Sequence, residues 1–220
     1  SNLFTGDMQG TGSLMTAIQN TIVIALIAAI VSTILGSVAA IGIHNMRGKM
    51  KHAITFMNNI PMLNPDIITG VSLFLLFVFL HISQGYMTVV LAHITFCTPY
   101  VVLNVLPRLT QMNPNIYEAA LDLGCTPIQS FFKVELPNIL PGVISGFTMA
   151  FTLSLDDFVI SYFVGSSNFQ TLPLLIYSMT KKKVTPDMYA LSTLIIVTVF
   201  LFLIISNVKS GKNRRKEATK

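Results

Sequence analysis

Two adjacent carboxylates, Asp156 and Asp157, stand inside the apolar stretch FTLSLDDFVISYF, and no residues of this sequence are better placed to do chemistry. An ionised carboxylate among apolar side chains in a membrane costs about 2.5–3.5 kcal/mol on insertion scales, so it needs a hydrogen-bonding partner, a counter-ion or a wet path. A pair of them attracts cations. Asp66, in NPDIITG, is a third acidic residue at the edge of an apolar run; it fits the first turn of a helix, or the side of the same path. Asp187, in VTPDMYALST, either caps the segment after Pro186 or meets a partner or its ligand beside the last apolar stretch. His93, in AHITFCTPYVV, reads as a hydrogen-bonded link between helices. Enzymatic signatures are missing: there is no G-x-x-x-x-G-K-[ST] phosphate loop, no Gly-x-Ser-x-Gly and no His-Glu-x-x-His. His44, His52, His81 and His93 show no metal-ligand spacing, and Cys97 and Cys125 are far apart with no CxxC. The chain therefore reads as a non-enzyme with no catalytic residue, no metal site and no cofactor.

The elements that must position these groups follow from composition. In 220 residues, 52% are hydrophobic and only 10% charged, against about 25% charged in soluble domains. With a mean hydropathy of +0.68, this excludes a soluble or disordered chain and points to a membrane protein. Apolar stretches at about 21–43, 67–82, 86–106, 139–164 and 189–208 approach or exceed the ~20 residues that a helix needs to cross a bilayer. Helices are expected, because a lone span must satisfy its backbone internally. The fold class is all-α, a polytopic transmembrane helix bundle forming one transmembrane domain over 1–220. In the fourth stretch Gly142, Gly146, Ala150 and Ser154 recur every four residues, the small-residue stripe by which membrane helices pack closely. At 100° per residue Asp157 continues that stripe and Asp156 is turned away from it, so Asp157 should face protein or a watery path. That leaves two roles open for it, contact with a cationic substrate or a capping and interhelical hydrogen bond.

Orientation follows from Lys and Arg, which favour the cytoplasmic side. Arg47, Lys49 and Lys51, then Arg108 and Lys133, then the tail residues Lys209, Lys212, Arg214, Arg215, Lys216 and Lys220 all fall on one side if every stretch crosses; the other side has Lys181, Lys182 and Lys183. The carboxyl terminus, with its basic tail 209–220, and the loop 107–138 should then be cytoplasmic. The amino terminus should be external, without a signal-peptide pattern, and an upstream helix is expected to precede the chain as shown.

The loop 107–138 is strongly patterned. Asn113 and Pro114 can start a helix, Gly124 can end it in a left-handed conformation, Thr126 with Pro127 and Gln129 can start a second, and Pro137 should stop that one. Its apolar residues, among them Ile116, Leu123, Ile128, Phe131 and Phe132, suit a helical hairpin that either presents a face to a partner or packs on its own spans.

The segment EAALDLGCTPIQSFFKVELP carries Glu118, Ala119, Ala120, Gly124, Leu136 and Pro137 at the spacing of the EAA loop, and so resembles the inner-membrane permeases of ABC importers. Val134 stands where that pattern usually has Ile. AHITFCTPYVV, FTLSLDDFVISYF and LPLLIYSMTKKKVTPDMYALST are similar to the polyamine (spermidine/putrescine) branch, its second permease subunit. The resemblance implies six membrane helices, of which five are found, in the cell inner membrane. It implies no nucleic acid but several partners: cytoplasmic ATP-binding subunits docked on the hairpin, a second and non-identical permease subunit, an extracytoplasmic solute-binding protein, and lipid. It also implies a polyamine substrate whose path passes Asp157, Asp156 and Asp66. Other readings are a permease for another small solute, an ion-gradient-driven secondary transporter with Asp157 as its ion site, and a membrane scaffold. The hairpin argues against the secondary transporter, which needs no ATPase dock, and the membrane aspartates argue against the scaffold.

Overall fold

The computed structural model describes residues 11–113, 115–166 and 169–181, with positions 193 and 197. Every element among the described residues is helical. The chain divides into two compact units, one of residues 12–175 and one made of the two chain ends. The stretch expected at 189–208 and the basic tail lie outside the described residues, apart from the two isolated positions.

Helix α1 (Thr11–Asn45) contains the first expected span and extends it at both ends. Its buried side is mostly small residues, with Ala25, Ala28, Ala29, Ser32 and Ala40 buried beside Ile24 and Ile43, while Ile22, Ile30, Ile34 and Val38 are exposed. In a membrane helix that asymmetry separates a packing face from a lipid face. α4 (Tyr86–Gln111) is the axis of the larger unit and runs unbroken past Pro99 and Pro107. Val89, His93, Cys97, Val101, Val105 and Leu109, each four residues apart, are all within 1% of complete burial. α7 (Leu136–Asp156) lies antiparallel to it. Each step of four along α4 is a step of four back along α7: His93 meets Ser154, Cys97 meets Ala150, and Val101 meets Gly146. The small-residue stripe is therefore the contact surface. A Cβ added at Gly146 would lie 3.1 Å from Val101 Cγ1, and one at Gly36 of α1 would lie 2.6 Å from Val101 Cβ. Val101 is held between two glycines on two different helices.

Three features differ from expectation. The basic stretch after α1 is not a loop but part of α2 (Gly48–Leu63), which meets α3 (Asp66–Phe79) at a bend of 105°. The bend sits at Asn64-Pro65, where Asn64 takes the extended backbone that a following proline enforces. α3 is only 14 residues long, so the second expected stretch is not a complete span by itself. Pro137 does not stop a helix. A π turn over Phe131–Glu135 leads straight into α7, with the Leu136 N–H reaching back to the Phe131 carbonyl. The wider turn accommodates a proline that lacks an N–H and whose ring crowds the preceding turn. Finally, the fourth stretch is not one helix. α7 ends at Asp156, Asp157 is extended, and α8 (Val159–Val164) begins after it. Together the described residues hold three helices long and apolar enough to cross a membrane, and a fourth span if α2 and α3 are taken as one.

α8 packs on α3 at Gly70, where an added Cβ would lie 3.2 Å from the Phe163 ring. The bent α2–α3 pair and the interrupted α7–α8 stretch thus meet through α3 and α8. α9 (Leu172–Lys181) begins at a cap supplied by α1: the Leu172 N–H donates to Thr21 Oγ1 at 2.7 Å.

Candidate functional site

Two places in the larger unit bring the sequence-predicted residues together. The first is the hairpin between α4 and α7. Helix α5 (Asn115–Asp122) opens with Asn113, whose Oδ1 accepts from the Asn115 N–H at 3.0 Å; Pro114 lies outside the described residues. α5 closes on Gly124 at φ +86°, with the Gly124 N–H bonded to the Leu121 carbonyl and the Cys125 N–H to the Ala120 carbonyl. That double bond is the Schellman closure, which glycine adopts without a Cβ penalty. α6 (Pro127–Ser130) starts on a reciprocal cap: Thr126 Oγ1 accepts from the Gln129 N–H, and Gln129 Oε1 accepts from the Thr126 N–H. The turn is fixed at both sides within three residues.

This rigid corner carries an apolar ridge. Leu123 is 87% exposed, Ile128 71% and Phe132 60%. Glu118, Ala119, Gly124 and Pro137 are also exposed, Leu136 is half-buried, and Ala120 alone of the motif residues is buried. Of the two possibilities for the hairpin's apolar residues, these three point away from the protein's own spans.

The second place is the break after α7. Asp157 has a side chain only 7% exposed, and both its oxygens are engaged. Oδ1 accepts from the Ile160 N–H at 3.2 Å and Oδ2 from the Ser161 N–H at 2.8 Å. His93 Nε2 lies 3.3 Å from Oδ2. The imidazole is itself buried between Ser154 Oγ, 2.6 Å from Nδ1, and Ser161 Oγ, 3.1 Å from Nε2. With a proton on Nε2 facing the carboxylate, Nδ1 accepts from the Ser154 hydroxyl and every group is satisfied. Asp157 thus caps the first N–H groups of α8 and ties the break to α4. The hydrogen-bonded His93 expected from the sequence is present. The partner Ser161 was not singled out, and no local signal in FTLSLDDFVISYF marks the helix break.

Asp156 differs from its neighbour. It is the last residue of α7, exposed, and without a cationic partner among the described residues. Asp66 is exposed in the first turn of α3 and lies within electrostatic reach of Asp156. The three expected carboxylates therefore form one neighbourhood, in which Asp157 faces inward and the other two are open. Asp187 lies outside the described residues.

The model of the family described as "Binding-protein-dependent transport system inner membrane component" matches residues 32–209. The chain is 40% identical over 201 residues to the spermidine/putrescine transport system permease protein PotC of Haemophilus influenzae, covering 91% of this chain and 78% of that protein. It is 42% identical to the putrescine transport system permease protein PotI of Escherichia coli K12, covering 88% of this chain and 72% of the relative. It is 36% identical to PotC of the same strain, covering 91% and 76%. Among solved structures, inward-facing forms of the MetNI methionine ABC transporter align with a TM-score of 0.70 at 19% identity, covering 87% of this chain and 92% of that one.

Proposed function

Because the chain belongs to the family of binding-protein-dependent inner-membrane transport components, we propose that it is the permease subunit of an ABC importer for polyamines. The observation that carries this is the 36–42% identity to spermidine/putrescine permeases over about nine tenths of the chain. The geometry supports the same reading. A permease of this kind needs a rigid lever for the ATPase and a cation-tolerant route through the bilayer.

The hairpin is the lever. Glu118, Ala119, Ala120, Gly124, Leu136 and Pro137 build it, and the exposed Leu123, Ile128 and Phe132 form its docking ridge for a cytoplasmic ATP-binding subunit. The second hairpin helix continues through the π turn into α7, so a push on the hairpin acts directly on the helix that ends at Asp156. The chain itself catalyses nothing, and ATP is hydrolysed by the separate subunit. Ser154, His93 and Asp157 follow the order of a hydrolytic triad, but the serine is 3% exposed and no substrate carbonyl can reach it.

Asp156 and Asp66 attract the ammonium groups of the cargo, and Asp157 holds the break that presents Asp156. A second, non-identical permease and an extracytoplasmic binding protein complete the importer. The hairpin and the carboxyl-terminal tail are cytoplasmic. The test is reconstitution with the ATP-binding subunit and the second permease in proteoliposomes. ATP-dependent uptake of labelled spermidine, lost when the ATP-binding subunit is omitted, is the expected result. Uptake driven by an ion gradient without that subunit would refute the importer reading.

A further inference from the structure

α7 has two exposed faces of opposite character. At 100° per residue, Asn138, Ser145, Thr148, Thr152 and Asp156 fall within an arc of roughly 80°, and all five are exposed. Pro141 and Met149 complete the same side. Leu140, 45% exposed, lies about 80° beyond Thr148, the nearest of these residues, and marks the lipid side; Ile144, 58% exposed, lies about 40° beyond Thr148 and borders the two. An exposed polar side running the whole length of a membrane helix and ending on a carboxylate is expensive against hydrocarbon, and it belongs against water or protein.

The hydrogen bonds give this side a sign. Thr148 Oγ1 donates to the Ile144 carbonyl at 2.9 Å, and Thr152 Oγ1 donates to the Thr148 carbonyl at 2.8 Å. Asn138 Nδ2 donates to the Val134 carbonyl at 2.7 Å. Across the packed α4–α7 seam, Asn104 Nδ2 donates to the Tyr100 carbonyl at 2.8 Å. In each case the side chain gives a donor to its own helix and keeps acceptor lone pairs. Thr148 and Thr152 have thereby spent their only donor and Asp156 has none, so this part of the face offers more to an N–H donor than to an anion, while Asn138 keeps one N–H beside its carbonyl oxygen. We infer that this face of α7, from Asn138 to Asp156, is an acceptor ladder along which the ammonium groups of a polycation move between the bilayer's two sides. Asp156 is its retaining end. At the other end lies a polar recess of about 320 Å³ lined by Arg108, Gln111, Asn113 and Asn138. The Arg108 stem crosses Gly142, where an added Cβ would lie 2.7 Å from Arg108 Cγ. A polycation gains nothing by resting beside that guanidinium, so the ladder holds cargo at one end and lets it go at the other.

This inference rests on the polyamine reading and can fail separately from it. Single cysteines at Ser145, Thr148 and Thr152, with Leu140→Cys on the lipid face, are placed in the assembled importer in proteoliposomes. Each is treated with a trimethylammonioethyl methanethiosulfonate and with its sulfonatoethyl counterpart, and modification is read position by position by mass spectrometry. The expected result is that, after each rate is divided by that reagent's rate with a free small-molecule thiol, the three polar-face cysteines favour the cationic reagent at least tenfold and are slowed by added spermidine, with position 140 unreacted. Inert polar-face cysteines, equal normalised rates for the two reagents, or equal labelling at position 140 would each overturn the ladder. Spermidine uptake by the unmodified importer is measured in parallel. If it imports and the polar-face cysteines are inert, the ladder alone fails; if it imports no spermidine, the polyamine reading fails with it.

Discussion

Replacing Asp157 by alanine should damage folding before it damages transport. The carboxylate accepts from two backbone N–H groups of α8 and faces His93. Losing a side-chain cap costs about 1 kcal/mol, here for each of two donors, and a buried imidazole left without its acceptor costs about 1–3 kcal/mol more. The total is about 4 kcal/mol, or roughly a thousandfold in the folding equilibrium at 1.4 kcal/mol per tenfold. Asp157→Asn should be far milder. Its Oδ1 can still accept an α8 N–H, and its amide can donate to His93 Nε2 if the imidazole moves its proton to Nδ1 and donates to Ser154; about 1 kcal/mol is lost. The assay is thermal stability and yield of membrane-inserted protein for wild type, Asp157→Ala, Asp157→Asn and Asp156→Asn, followed by spermidine uptake normalised to inserted protein. Asp156→Asn should keep wild-type stability and lose about tenfold in uptake, the loss of one ion pair worth about 1.4 kcal/mol at the limiting step. If Asp157→Ala is as stable as wild type, or if the two Asp→Asn variants behave alike in both measurements, the division of labour between the neighbours is wrong.

Gly146→Leu should force α4 and α7 apart, since even a Cβ there sits 3.1 Å from Val101 Cγ1; a cost of about 1–3 kcal/mol or more is expected, read as lost yield of folded protein in the membrane. Gly124→Val places a β-branched residue at φ +86° and should cost about 1–2 kcal/mol locally while abolishing most ATPase retention. Leu123→Asp and Ile128→Asp change side chains that are 87% and 71% exposed, so stability should stay within about 0.5 kcal/mol while co-purification of the ATP-binding subunit falls at least tenfold. Cys125, half-buried on the hairpin, should escape a membrane-impermeant thiol reagent added outside intact cells, and efficient labelling there would reverse the orientation.

The hairpin was legible because its signals are local. A left-handed glycine and a Thr-x-x-Gln cap act within four residues, and both stand where the sequence put them. The small-residue stripe was legible for the same reason, as a period of four on one helix. Its counterpart, the series from Val89 to Leu109 on α4, is equally periodic but mixes valine, histidine, cysteine and leucine, so no single residue type announces it. The break at Asp157 was not legible. Nothing in FTLSLDDFVISYF forbids a helix; what ends it is a carboxylate that finds two N–H groups ahead and a histidine on another helix. Pro137 misled in the opposite way: a proline that normally ends a helix is absorbed by a π turn just before it. α2 was missed because its lysines, histidine and asparagines hide an element that still joins the bundle.

The three carboxylates can be ranked by how much each needs a cation. Asp66 sits in the first turn of α3 and Asp157 caps the first N–H groups of α8. Both lie at the positive end of a helix, which stabilises a negative charge by about 0.3–1 kcal/mol, and more when partly buried. Asp157 adds two charge-assisted hydrogen bonds and an imidazole. Asp156 has the reverse placement. It ends α7, where the unpaired carbonyls make the helix negative, and two like charges lie within electrostatic reach. A helix terminus that compensates its own carboxylate competes with a passing ammonium group; one that opposes it rewards that group. The broken span therefore separates the two neighbours chemically. Asp157 is compensated by the structure and keeps it together, while Asp156 has no cationic partner among the described residues, which is the ground on which we propose it as the charge that the cargo compensates.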